Sequence, residues 1–160
     1  MKKNLALLLA VALAFTCMLG FGATAEESAS DVLVTVPMRA TVSILYAVKA
    51  AGNEDASVLI TAKNGVALGA PEAATKIDDD YDIGGVKYIL FEYSNLTASE
   101  MRTSVTATID GKVVTYSVAD FVADYTAQYT GTEYAKQVTL VEKMLAYGDA
   151  VAEMNKEEAK

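Results

Sequence analysis

The chain has 160 residues, 52% of them apolar, with a formal charge of −8, one cysteine, and neither histidine nor tryptophan. Without histidine the usual nucleophilic triads have no base and zinc loses its commonest nitrogen ligand, and the excess of acid repels phosphate backbones and anionic headgroups. Nucleic acid is therefore excluded as a partner, as are membrane surfaces once the leader described next has been removed.

The chain opens with Lys2 and Lys3 ahead of an uncharged apolar run from Leu5 to Phe21, followed by Ala23, Thr24 and Ala25 before Glu26. This order is that of a secretory signal peptide cleaved after Ala25. Two rival readings stay open: an uncleaved membrane anchor, because the run nearly spans a bilayer, and a lipoprotein signal ending at Cys17. Ala23 and Ala25 suit a signal peptidase, whereas Phe15 puts a ring where lipoprotein processing prefers small residues. Cleavage removes two lysines and no acid, which moves the formal charge from −8 to −10 and leaves residues 26–160 as one domain with no cysteine. Stability must then come from apolar burial and not from disulfides.

Residues 26–31 read as a short polar arm. Val32, Val34 and Val36 alternate with Leu33 and Thr35, and Val42, Ile44, Tyr46 and Val48 alternate with Thr41, Ser43, Leu45 and Ala47, so both stretches predict strands, separated at Pro37. Asn64-Gly65 predicts a tight hairpin between Val58–Lys63 and Val66–Leu68, and Asp110-Gly111 predicts another before Lys112. Between them, residues 70–85 read as a polar, turn-rich connection, and the aromatic and branched stretch from Val86 as a strand. Thr97 to Glu100 has a capping-box pattern and predicts a single helical turn where the chain crosses between sheets, ahead of a strand from Thr103 to Ile109.

After Tyr116 the period becomes helical. Ser117 and Asp120 form an N-cap pair, and Val118, Phe121, Val122, Tyr125 and Tyr129 recur at steps of three and four until Gly131. On a second helix, Tyr134, Val138, Val141, Leu145 and Gly148 form one row, with Met144, Tyr147 and Val151 beside it. The final residues, NKEEAK, are expected to fray. Tyr125, Tyr129 and Tyr147 continue apolar stripes, so all three are expected in the core; Tyr81 and Tyr134 are expected to be exposed, where they would suit stacking on a sugar ring.

Asp78, Asp80 and Asp82 alternate like the opening of a calcium loop, but Ile83 stands where the glycine is needed and Ile89 where a bidentate glutamate should close it. A solvated acidic turn is the expectation, with a calcium site around Asp80 built by neighbouring loops left open. Ser99 and Lys143 have the residue types of a Ser-Lys pair without its flanking motif. The remaining acids fall where solubility alone would place them, so a carboxylate enzyme is a minority reading.

The stretches SILYAVKAAG (43–52), VKYILFEYSNLTASEM (86–101), TATIDGKVVTYSVADF (106–121) and MLAYGDAVA (144–152) occur in a familiar order. From Val42 to Ala152 the chain resembles a module recurring near the carboxyl ends of secreted, often multidomain proteins of anaerobic Gram-positive bacteria, some of which carry cellulosome-type docking or carbohydrate-active domains. That module has no established activity. The resemblance therefore implies a folded extracellular domain and transfers no catalytic or binding residue. Asp149 and Glu153 depart from the small residues and closing glutamine with which the pattern usually ends.

Together these readings predict an α+β fold: a seven-stranded, mostly antiparallel, Ig-like β-sandwich with two carboxy-terminal α-helices packed on it. The domain boundaries are 1–25 for the signal peptide and 26–160 for the single domain. The function expected is a secreted, non-catalytic interaction module, extracellular or associated with the cell envelope, whose partner is a protein or a glycan; a carbohydrate-binding domain is the alternative. No catalytic residue, cofactor or metal ligand is assigned.

Overall fold

The computed structural model describes residues 31–37 and 41–159. The predicted leader, its cleavage point and residues 26–30 of the arm lie outside the described residues. Eight strands are described, β1 (Val32–Thr35), β2 (Ile44–Lys49), β3 (Val58–Lys63), β4 (Val66–Ala73), β5 (Thr75–Ile83), β6 (Val86–Tyr93), β7 (Val105–Ile109) and β8 (Lys112–Tyr116), followed by helices α1 (Val118–Gln128) and α2 (Ala135–Glu158). They form two four-stranded antiparallel sheets, in the orders β1-β2-β6-β5 and β4-β3-β7-β8, so the fold is α+β.

The main core is assembled from both sheets. Ile44, Tyr46 and Val48 of β2 and Ile89, Phe91 and Tyr93 of β6 meet Val58 and Ile60 of β3 and Val105, Ala107 and Ile109 of β7. The period-two pattern read from the sequence thus places the intended faces inward. β2 and β6 are also buried on their other face, where Leu45, Ala47, Tyr88 and Leu90 cluster with Leu33. Tyr46 is fully buried, and among the described residues its hydroxyl has no hydrogen-bond partner. Because an unsatisfied buried hydroxyl is costly, Tyr46→Phe is expected to stabilise the fold by about 1 kcal/mol in denaturant melts.

The seven-strand expectation is corrected to eight. Residues 70–85 are not a turn-rich connection: β4 runs on to Ala73, the chain passes from one sheet to the other at Ala74, and β5 continues to Ile83. β5 has no apolar alternation because it is an edge strand, almost wholly exposed and with two irregularities in its pairing to β6. Its ladder is imposed by β6, and its acids discourage pairing with foreign strands. Pro71 is tolerated for a related reason, since β4 is also an edge. Gly84-Gly85, with φ of 61° and 86°, joins β5 to β6 as a third tight turn.

The two expected hairpins form as read. Asn64 and Gly65 have φ of 49° and 74°, and Asp110 and Gly111 have 49° and 80°, the paired positive angles that match strand twist. A branched residue resists that region, so Gly111→Val is expected to destabilise by about 1–3 kcal/mol, measured by thermal or denaturant unfolding. Nothing lies within 4 Å of where a Cβ would sit at Gly111, so the loss would come from the backbone alone.

The chain crosses between sheets again at a 3-10 turn, Ala98–Glu100, as expected. Thr97 donates its backbone N–H to Glu100 Oε2 at 2.8 Å and its hydroxyl to the same oxygen at 2.9 Å. α1 begins where predicted, with the Asp120 N–H donating to Ser117 Oγ at 3.0 Å. The two helices pack on this corner and on each other. Phe121, Val122 and Tyr125 of α1 and Val141 of α2 surround Met101, with Val36 and Ala98 beside them, forming a second core at one end of the sheets. α2 also runs further than expected, to Glu158: Lys156, Glu157 and Glu158 are good helix formers, and Lys156 pairs with Glu153 at 2.7 Å.

Candidate functional site

The acids singled out by the sequence lie along the β5 edge. Lys87 of β6 sits among them, with its Nζ 3.1 Å from Asp80 Oδ1 and 3.9 Å from Asp82 Oδ2. Asp78 accepts the backbone N–H of Asp80, and Asp82 accepts that of Gly85. These carboxylates serve the turn and an ammonium partner. Among the described residues no group of three or more acids, cysteines or histidines is gathered so as to hold a metal ion. Ser99 lies in the corner turn, sharing a hydrogen bond with Thr97 at 2.9 Å, while Lys143 is exposed on α2.

A polar cluster that sequence reading did not anticipate joins the two sheets at one rim. The Tyr93 hydroxyl of β6 donates to Glu72 Oε2 of β4 at 2.6 Å, and Asn95 donates to the same oxygen at 3.3 Å. Lys63 Nζ lies 5.5 Å from the centre of the Tyr93 ring, donates to the Asn95 carbonyl at 3.2 Å, and is 3.7 Å from Glu100. Only the tertiary fold brings these residues together, because the chain passes Ala74 to the other sheet before β6 returns.

Its electrostatics favour holding over catalysis. Burial, and then the Glu72 carboxylate, push the Tyr93 hydroxyl above its ordinary value, while the hydroxyl and then Asn95 hold Glu72 below the usual glutamate range. The phenol thus stays protonated and the carboxylate ionised, each in its resting form, and neither is tuned toward neutral pH as an acid or base must be. Because the Glu72 value is lowered by folding, its contribution to stability is full above the ordinary glutamate range and is lost as pH falls through the lowered one. NMR titration of Glu72 should therefore show a depressed midpoint, and Tyr93→Phe should move it back up.

The tyrosines divide differently from their expected roles. Tyr125 is buried at 5% exposure, and Tyr129 is partly covered, with its ring 4.4 Å from Tyr125 and 4.8 Å from Tyr134. Tyr81 and Tyr134, expected to be exposed, are half-buried. Tyr147, expected in the core, is 62% exposed. The reason is that α2 packs on the corner through Val138, Val141, Leu145 and Gly148, with Met144 reaching the same core from the neighbouring row, so the rest of that row is turned partly to solvent. Arg102 of the corner holds Asp149 on α2 through two bonds of 2.5 and 2.9 Å, so Asp149 has a local purpose where the resembled pattern has a small residue.

Among its exposed positions α2 also carries an apolar row. Leu140, Tyr147 and Met154 are 57%, 62% and 61% exposed and recur every seven residues, with half-buried Val151 and half-buried Met144, which also packs on the helix-pair core, between them. Steps of four and three place all five on one side of a helix. Single exposed apolar residues need no explanation, whereas an aligned row of them is a candidate contact surface. Among the described residues no helix is long and apolar enough to cross a membrane. The chain matches no protein-family model, no curated protein and no solved structure with which it was compared.

Proposed function

We propose that this chain is a secreted, non-catalytic interaction module that binds an extracellular or cell-envelope protein through the outward row of α2. The observation that carries this reading is the exposed, evenly spaced Leu140, Tyr147 and Met154 on a helix whose other side is anchored to the fold. In this reading the two sheets are an Ig-like scaffold and the helix pair is the part that meets the partner. The resemblance to a recurring carboxy-terminal module of Gram-positive secreted proteins supports an accessory role. The leader sequence supports export, and the acidic surface is in keeping with a protein partner.

The test compares two immobilised polypeptides spanning residues 26–160, the wild type and a Leu140→Glu/Tyr147→Glu variant, exposed to envelope extract and culture medium of the producing cell. Both substituted positions are exposed, so the variant is expected to keep the wild-type melting temperature. A protein retained by the wild type and lost from the variant supports the reading. Equal retention by both, or retention by neither, overturns it.

A further inference from the structure

The charges beside the apolar row are ordered in a way that bears on the partner. Along the edge of the row away from the packed strip, the positions that flank a helix seam are Lys136, Lys143, Ala150 and Glu157, all exposed. The edge is basic at the amino end of α2 and acidic at the carboxyl end. Such an edge complements itself only when a second identical helix runs in the opposite direction. The apolar row spans roughly 21 Å at the usual helical rise, with Gln137 before it and Glu158 after it in the same helical spacing.

We propose that the occupant of this face is a second copy of the chain, with the two α2 helices packed antiparallel. With Leu140 of one copy set against Val151 of the second copy, Met144 meets Tyr147 of the second copy, Met154 meets Gln137 of the second copy at the end of the seam, and Lys136 lies beside Glu157 of the second copy. The symmetry of the pair forms each contact twice. A parallel pair would set Lys136 and Lys143 beside Val141 and Gly148 of the other helix, where no acid answers them. Apolar burial supplies the attraction, and the charged edge sets the direction of the pair against the repulsion of two acidic domains. This rests on reading the outward row of α2 as a contact surface.

A polypeptide from Glu26 to Lys160 keeps every described strand and helix and has no cysteine, so it can be weighed without disulfide artefacts. Sedimentation from about 1 to about 300 µM should show the mass rising from monomer to dimer. Leu140→Glu/Tyr147→Glu should remain monomeric throughout. Lys136→Glu and Glu157→Lys should each weaken the dimer by about tenfold, and combining them in one chain should restore it to within about threefold. A monomeric wild type, a dimer untouched by the Leu140 and Tyr147 changes, or charge reversals that do not rescue each other would overturn the proposal. A wild type that stays monomeric yet retains a medium protein through Leu140 and Tyr147 would overturn the second copy alone and leave the contact-surface reading standing.

Discussion

Replacing Gly148 with alanine is expected to destabilise the domain by about 1–3 kcal/mol, and with asparagine by more, although a mid-helix glycine is ordinarily improved by alanine. The glycine is buried, and a Cβ there would lie 2.7 Å from the Ala98 carbonyl oxygen, 2.7 Å from Met101 Sδ and 3.0 Å from Met101 Cγ. The methionine can swing aside, but the carbonyl belongs to the backbone of the corner turn and can yield only if α2 lifts. Lifting α2 would loosen Val141 from the helix-pair core and strain the Arg102–Asp149 clamp. Denaturant melts of both variants check this. An alanine protein more stable than the wild type would mean that α2 does not sit against the corner at this distance.

Tyr125→Ala is expected to cost about 3–5 kcal/mol, the loss typical of a large buried ring, whereas Tyr147→Ala is expected to change stability by less than about 0.5 kcal/mol. Tyr125 lies between the rings of Phe121 and Tyr129, at 5.7 and 4.4 Å, and its removal leaves a hole between α1 and the corner. Tyr147 leaves no such hole. Thermal unfolding of the pair separates the two roles, and a comparable loss at both would return Tyr147 to the core. A Tyr147→Ala protein that is fully stable but has lost its partner would assign that ring to binding.

Much of the fold was legible because its signals are local. The turn at Asp110-Gly111 needs only two residues that accept positive φ, the start of α1 only a serine oxygen within reach of the Asp120 N–H, and the inward face of β2 only an alternation of side chains. The site was less legible. Spacing placed Tyr147 beside the strip that packs, Val141 and Gly148, but did not separate the two, and it left Leu140 and Met154 in neither row. Both rows satisfy a helical period, and only the width of the surface available for packing tells them apart.

By its sequence alone this protein determined the hairpin turns at Asn64-Gly65 and Asp110-Gly111, the start of α1, the crossing at Thr97 to Glu100 and the exclusion of histidine chemistry, because each depends on residues close together in the chain or on composition. The tertiary structure decided that the acidic stretch around Asp80 is a strand, since a polar edge strand takes its hydrogen bonds from a neighbour and needs no apolar pattern of its own. It decided that Tyr93, Glu72, Lys63 and Asn95 meet, since that requires two sheets to close on each other. It also decided which tyrosines are covered, because burial depends on how far a packing partner extends, and the corner that receives α2 is narrower than the helix's apolar surface.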